Sequence, residues 1–377
     1  MANVLPRDRR IAVLHALVNA NSERSAADLA GVNARTVARL AVEFGTGAQR
    51  LHDRIARELT CTDIECDETF SYVGKKQAHL KPEDPPEFGD AYTWTAEDRA
   101  SRFIIAFHVG KRDQRAADAF MADLRARLVV MPEMSTDGLA AYRRAVGAEF
   151  GPSISYGMMV KQYRSGGRDD HRYAPGRGVD FIKKTVVFGS PNLDKTGTAH
   201  VERNNGTMRH KIGRTRRLAY CFSKRFENHV AAVALGYVWY NVGWIVKGLR
   251  MTPAMAVGAV DHLFTIEEFH DAITEAAREP EAKPEKQPLA HRTPEGTSRE
   301  LPGGRGFLRV LPGGAPSPSP APATPPVAPV APAPSVAPTA TALRFDERGQ
   351  ADLFSWTPPK RDPVQLSLFG MDPEPET

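Results

Sequence analysis

The chain has 377 residues, 41% of them apolar, which is enough for a large core and two or three domains and excludes a chain disordered throughout. Fifty Lys and Arg stand against 45 Asp and Glu, and the resulting charge of +5 suits a polyanionic partner without requiring one. Three cysteines, Cys61, Cys66 and Cys221, exclude a disulfide framework in a chain this long and point to a reducing compartment. The first residues lack the charged, apolar and small-residue succession of a secretory signal, so the expectation is a cytoplasmic protein.

Residues 1–50 read as a small helical unit, from the apolar spacing of Ile11, Leu14, Leu17 and Val18 and two short helical patterns after it. The second and third patterns fit a helix-turn-helix. Ala27 is the small residue in the first helix, Gly31 allows the sharp turn, and Val32, Val37 and Leu40 clamp the second helix. That helix should begin near Asn33 and expose Asn33, Arg35, Thr36 and Arg39. Arg pairs bidentately with guanine and Asn with adenine in the major groove, which makes these four the expected base readers.

From 60 to 268 the pattern changes to strands alternating with helices. Expected strands are Asp63–Val73, Ala91–Thr95, Phe103–Val109, Glu133–Thr136 and Ile182–Phe188. Expected helices are Asp113–Leu128, Gly138–Val146 and one long segment from about His200 to Val246. This describes an α/β domain around a mixed sheet. Within the long segment, Arg203 to Arg225 forms a basic stripe with no acidic residue between Glu202 and Glu227. Val230–Val246 is almost uncharged, but Gly236, Asn241 and Gly243 interrupt it, so a buried core helix is expected and not a membrane span. From 279 to 377 Pro, Ala, Gly and Ser dominate, and this Pro/Ala-rich tail is expected to be disordered.

Three acidic residues lie in or beside these elements: Asp67 within the first strand, Asp137 after Glu133–Thr136, and Glu202 early in the basic helix. Phosphoryl transfer by two metal ions needs carboxylates that converge on cations about 3.5–4 Å apart. The surrounding text carries a resemblance. It runs through Asp67-Glu68-Thr69-Phe70-Ser71-Tyr72-Val73-Gly74-Lys75-Lys76, Tyr92-Thr93-Trp94-Thr95, Val109-Gly110-Lys111-Arg112-Asp113, Thr136-Asp137-Gly138 and Val201-Glu202-Arg203-Asn204-Asn205. Phe222-Ser223-Lys224, Glu227-Asn228-His229 and Leu249-Arg250-Met251-Thr252-Pro253-Ala254-Met255 complete it. In these blocks the chain resembles the DDE transposases of bacterial insertion sequences, specifically the insertion-sequence-one family.

The resemblance implies a ribonuclease-H-like catalytic domain with Asp67, Asp137 and Glu202 as catalytic and metal-binding residues for two Mg²⁺ (or Mn²⁺). It also implies a basic residue near the metals, matched by Arg209 on the face of Glu202, with Asn205 and His200 as orienting candidates. Arg203, Arg214, Arg216, Arg217 and Lys224 of the basic stripe are expected on DNA backbone. The implied partners are double-stranded DNA, as terminal inverted repeats and target, and a second copy of the chain in a dimer or larger synaptic assembly; the implied location is the bacterial nucleoid. Two alternatives remain open from the residues: a catalytically silent DNA-binding regulator, and a metal-dependent nuclease that does not join strands. In the tail, Gln365-Leu366-Ser367-Leu368-Phe369 resembles the pentapeptide with which bacterial proteins dock on the replication sliding clamp, with Gln365, Leu366, Leu368 and Phe369 as the contact residues; Gln350-Ala351-Asp352-Leu353-Phe354 is a looser match.

Overall fold

The computed structural model describes residues 5–163, 179–216 and 220–290, together with the backbone of two short paired strands at Arg299–Glu300 and Phe307–Leu308. Helices α1 (Arg7–Val18), α2 (Glu23–Ala30) and α3 (Ala34–Ile55) open the chain. Ser22 caps α2 by accepting from the Ser25 N–H, and Asn33 caps α3 by accepting from the Arg35 N–H. Between them Gly31 takes φ +62°, the left-handed conformation that ends α2 and turns the chain into α3. The turn between α2 and α3 therefore follows from two caps and one glycine.

Six strands form one sheet in the order β3-β2-β1-β4-β5-β6. They are β1 (Asp63–Val73), β2 (Gly89–Asp98), β3 (Ile104–Gly110), β4 (Glu133–Thr136), β5 (Ser155–Tyr163) and β6 (Val179–Phe188). Strand β1 pairs antiparallel with β2 and parallel with β4, and β4 pairs parallel with β5. Period-two alternation assigns each face its own helices. On one face Trp94 packs against Phe120 of α4 (Gln114–Ala126) and Tyr142 of α5 (Ala140–Phe150). On the other, Thr95 and Phe107 meet Tyr237 of α7 (Phe226–Gly243), and α6 (Ala199–Lys211) lies along β1. Short α8 (Pro253–Ala256) and α9 (Ile266–Arg278) follow, the latter started by a capping box between Thr265 and Glu268.

Two sequence expectations change here. The long segment from His200 to Val246 is not one helix: α6 stops at Lys211, a 3₁₀ turn covers Gly213–Thr215, and α7 starts at Phe226. Cations crowd positions 214–217 with no apolar face to bury, and a helix there would gain nothing from packing. Strand β5 escaped the reading because Tyr156-Gly157-Met158-Met159 carries neither alternation nor β-branched residues. Helix α3 runs on to Ile55, and α9 runs from Ile266 to Arg278. Helix α7 is largely buried, and no helix among the described residues is long and apolar enough to cross a membrane.

Candidate active site

Strand β1 delivers carboxylates to both faces of the sheet. Alternation sends Glu65 and Asp67 toward α6, and Cys66 and Glu68 toward α4 and α5. The parallel register pairs Cys66 with Thr136, so Asp137, the first residue beyond β4, emerges beside Asp67 and Glu68. Oxygen atoms of Asp67, Glu68 and Asp137 all lie within 4.8 Å of one another. Asp137 turns its Oδ1 to the Leu139 N–H at 2.9 Å, while its Oδ2 faces the Arg112 guanidinium at 3.4 Å. The same guanidinium lies 3.7 Å from Glu68.

Crowding of like charges in a partly buried place has an electrostatic cost. Burial, then the charge of Asp137, push Asp67 up to about 7, against the opposing pull of the Glu68 N–H and the Asn205 amide. Burial and Asp137 likewise push Glu68 up to about 8, opposed by Arg112. Three hard oxygen donors that repel one another fit a divalent cation such as Mg²⁺ or Mn²⁺, which would relieve the repulsion.

Glu202 lies in the first turn of α6 and outside this three-carboxylate cluster. Both its oxygens accept from Lys161 Nζ of β5, at 2.5 and 2.7 Å, and one also accepts from the Thr198 hydroxyl at 2.6 Å. Its charge still reaches Asp67 and contributes to raising it. Three residues further along α6, Asn205 donates its amide to Asp67 Oδ2 at 2.8 Å. Arg209 is on the same helix, near enough for its charge to act on the buried Tyr237 hydroxyl.

His200 does not meet the cluster. It binds Glu65, whose buried carboxylate accepts from the His200 ring nitrogen at 2.7 Å, from the His200 and Val201 N–H groups at 2.8 and 3.1 Å, and from Arg99 at 3.0 Å. Glu65 thus anchors the N-terminus of α6, where a carboxylate is favoured by the helix dipole, and so fixes where Glu202 and Asn205 stand. Glu65, Glu68, Arg112 and Lys161 were absent from the expected site. Period two links Glu65 to Asp67 and could have flagged it; nothing local marks the other three.

The expected base readers sit at the start of α3. Asn33 has spent its side-chain oxygen on the cap, Arg35 and Arg39 are exposed, and Thr36 is half-buried. Arg35 and Arg39 share a groove of about 820 Å³ with Lys224 and Arg225, which precede α7. Arg203, Arg216 and Lys224 are exposed. Arg214 pairs with Glu23 of α2 and approaches the Ser223 hydroxyl at 3.4 Å, tying α2 to the segment before α7. That segment is pinned again by buried His229, hydrogen-bonded to Ser71 of β1 and to Ser223, both at 2.9 Å. Arg217 and the clamp-motif residues Gln365, Leu366, Leu368 and Phe369 lie outside the described residues.

No protein-family model matches the chain, and no curated protein matches it. Among solved structures it is similar to a piggyBac transposase in a synaptic complex with hairpin DNA, solved by cryo-electron microscopy, with a TM-score of 0.26 and 10% identity. The likeness covers 58% of this chain and 52% of that one, so the chain spans about half the length of that protein. At that score the likeness defines no family and carries no argument.

Proposed function

We propose that the chain is a DDE-type transposase, a metal-dependent enzyme with a ribonuclease-H-like core that cuts DNA strands and joins them. The observation that carries this reading is the convergence of Asp67, Glu68 and Asp137 at neighbouring parallel strands. The placing of Asp67 on β1, Asp137 after β4 and Glu202 on α6 supports it further.

Two Mg²⁺ or Mn²⁺ ions, when bound, supply an activated attacking oxygen and a stabilised leaving oxygen. Asp67 and Asp137 would hold them and Glu68 would add a further oxygen donor, and Glu202 would join if it exchanged Lys161 for a metal ion. Asn205 keeps the Asp67 carboxylate oriented. Arg112, beside Asp137 and Glu68, and Arg209 of α6 would supply cations to phosphate charge. Water attacks the strand at the element end and leaves a 3′-hydroxyl; that hydroxyl then attacks a target phosphodiester, exchanging one P–O bond for another. No covalent protein intermediate and no nucleoside triphosphate enter the balance. The start of α3 reads the terminal repeat, exposed cations of α6 and the segment before α7 follow its backbone, and two copies hold the two ends.

Calorimetric titration with Mn²⁺ tests the metal site: uptake that disappears in Asp67→Asn and Asp137→Asn is expected, and uptake unchanged in both would remove the assignment. A joined product on supplied target DNA separates a transposase from a nuclease that only hydrolyses.

A further inference from the structure

Strand β1 lays a row of aromatic rings beside the carboxylates. By alternation Glu68, Phe70 and Tyr72 share one face of the strand, spaced about 7 Å apart at 3.4 Å per residue. Phe70 pairs across the sheet with Tyr92 of β2, and the two rings meet edge to face at 5.5 Å. The Gly74 N–H donates to the Ser223 carbonyl at 2.8 Å, and the bridge between Val73 and Ser223 brings Phe222 beside Tyr72. Those two rings stack, with centres 4.8 Å apart and planes inclined by 26°. None of the four rings is sealed in the core: Phe70 is 38% exposed, and Tyr72, Tyr92 and Phe222 are half-buried.

Cations border the row at both ends. Near the carboxylates, the Arg112 guanidinium lies 5.8 Å from the centre of the Tyr92 ring and 3.4 Å from Asp137. At the far end Phe222 lines the groove of about 820 Å³ at the start of α3. Five cations line that groove against three carboxylates, with Arg35, Arg39 and Lys224 among them, so its charge is positive. The row therefore leads from Glu68 and Asp137 to a basic groove.

We infer that this row is a track for single-stranded DNA, on which an unpaired stretch leaving the carboxylates lays its bases on Phe70 and Tyr72 and turns its phosphates toward Arg112 and the groove. In a duplex the flat faces of the bases are covered by their neighbours, so exposed rings offer it little. An unpaired base gains a stacking partner whatever its identity, and cations beside the rings hold the backbone. Arg112 beside Tyr92 adds a cation–π contact at the end nearest the carboxylates. The track deepens the reading of the cluster as a cutting site, and its test needs no cleavage.

The test uses the full chain in chelating buffer and follows the fluorescence anisotropy of an end-labelled oligomer of about 12 thymidines, the same oligomer with abasic sites at its centre, and a duplex of equal length. The thymidine oligomer should bind about tenfold more tightly than the abasic one. Phe70→Leu keeps an apolar side chain and removes the ring; it should erase most of that difference and leave duplex binding unchanged, while Phe70→Trp should preserve it. Equal binding of the two oligomers, or a Phe70→Leu loss shared by the duplex, overturns the inference. Iododeoxyuridine at the centre of the oligomer should crosslink under light to Phe70, Tyr72, Tyr92 or Phe222, and crosslinks confined to other residues also overturn it. Calorimetric Mn²⁺ uptake by the same protein separates the two readings. Uptake without ring-dependent binding removes the track alone; ring-dependent binding without uptake removes the cutting site and leaves the track standing.

Discussion

Asp67 and Glu68 are neighbours in sequence and point to opposite faces of the sheet, yet both carboxylates meet Asp137. The resemblance named Asp67 and Asp137 and not Glu68, and alternation along a strand gives no hint that adjacent residues share a site. Only the parallel register of β1 and β4, a long-range pairing invisible in local pattern, shows that they can. The raised carboxyls have a thermodynamic consequence. With folded values near 7 and 8 against unfolded values of about 3.9 and 4.3, the folded state binds more protons in that interval, so stability is full at low pH and lost as pH rises from about 4 to about 8. In a chelating buffer at pH 8, Asp67→Asn should therefore raise stability by about 1–3 kcal/mol in denaturant titrations, with the gain vanishing near pH 4. An equal or lower stability at pH 8 would mean that the crowding is not felt.

At the scale of elements, legibility tracked the local signal. Strands β1 and β4 matched their expected bounds, since each is bracketed by charge or turn and fills a buried face. Strand β5 did not, and with it went Lys161, the cation that holds Glu202. Lys161→Met should free Glu202 toward the cluster and tighten Mn²⁺ binding about two- to fivefold in calorimetry, in line with a partly exposed ion pair contributing roughly 0.5–1 kcal/mol. Unchanged affinity would mean that Glu202 takes no part in holding metal. Glycines divide by what surrounds them. Gly47→Ala drives a methyl into the Ile273 carbonyl and should cost at least about 2 kcal/mol. Gly206→Ala, in α6 with nothing within 4 Å, should stabilise by about 0.5–1 kcal/mol. Chemical denaturation of both variants checks the contrast.

Across the whole molecule, the order of elements was readable and their assembly was not. A small helical unit followed by an α/β core was legible in the pattern, but Gly45 and Gly47 join the two inside one helix, and their role appears only when α7 and α9 are seen against them. Charge follows the same logic. The basic stripe was expected within one long helix and is instead divided among α6, a turn and the segment before α7, with Arg214 paired to Glu23. Arg203 and Arg216 are exposed, and the proposed function puts them on phosphate. Arg203→Ala with Arg216→Ala should weaken specific and random duplex alike and make the log–log salt slope shallower by roughly 1–2 units, whereas Arg35→Ala with Arg39→Ala should chiefly erode discrimination between sequences. Fluorescence anisotropy across a salt series separates the two patterns, and a reversed assignment would exchange the roles of α3 and α6.

The central claim is that Asp67 and Asp137 hold the metal that cuts DNA, and the most direct measurement is Mg²⁺-dependent cleavage of labelled duplex by the full chain and its Asp67→Asn and Asp137→Asn variants. Both substitutions should lower the cleavage rate by more than the roughly 10–100-fold that loss of an outer hydrogen-bond partner costs, with DNA affinity unchanged. Cleavage at the original rate in either variant would contradict the account.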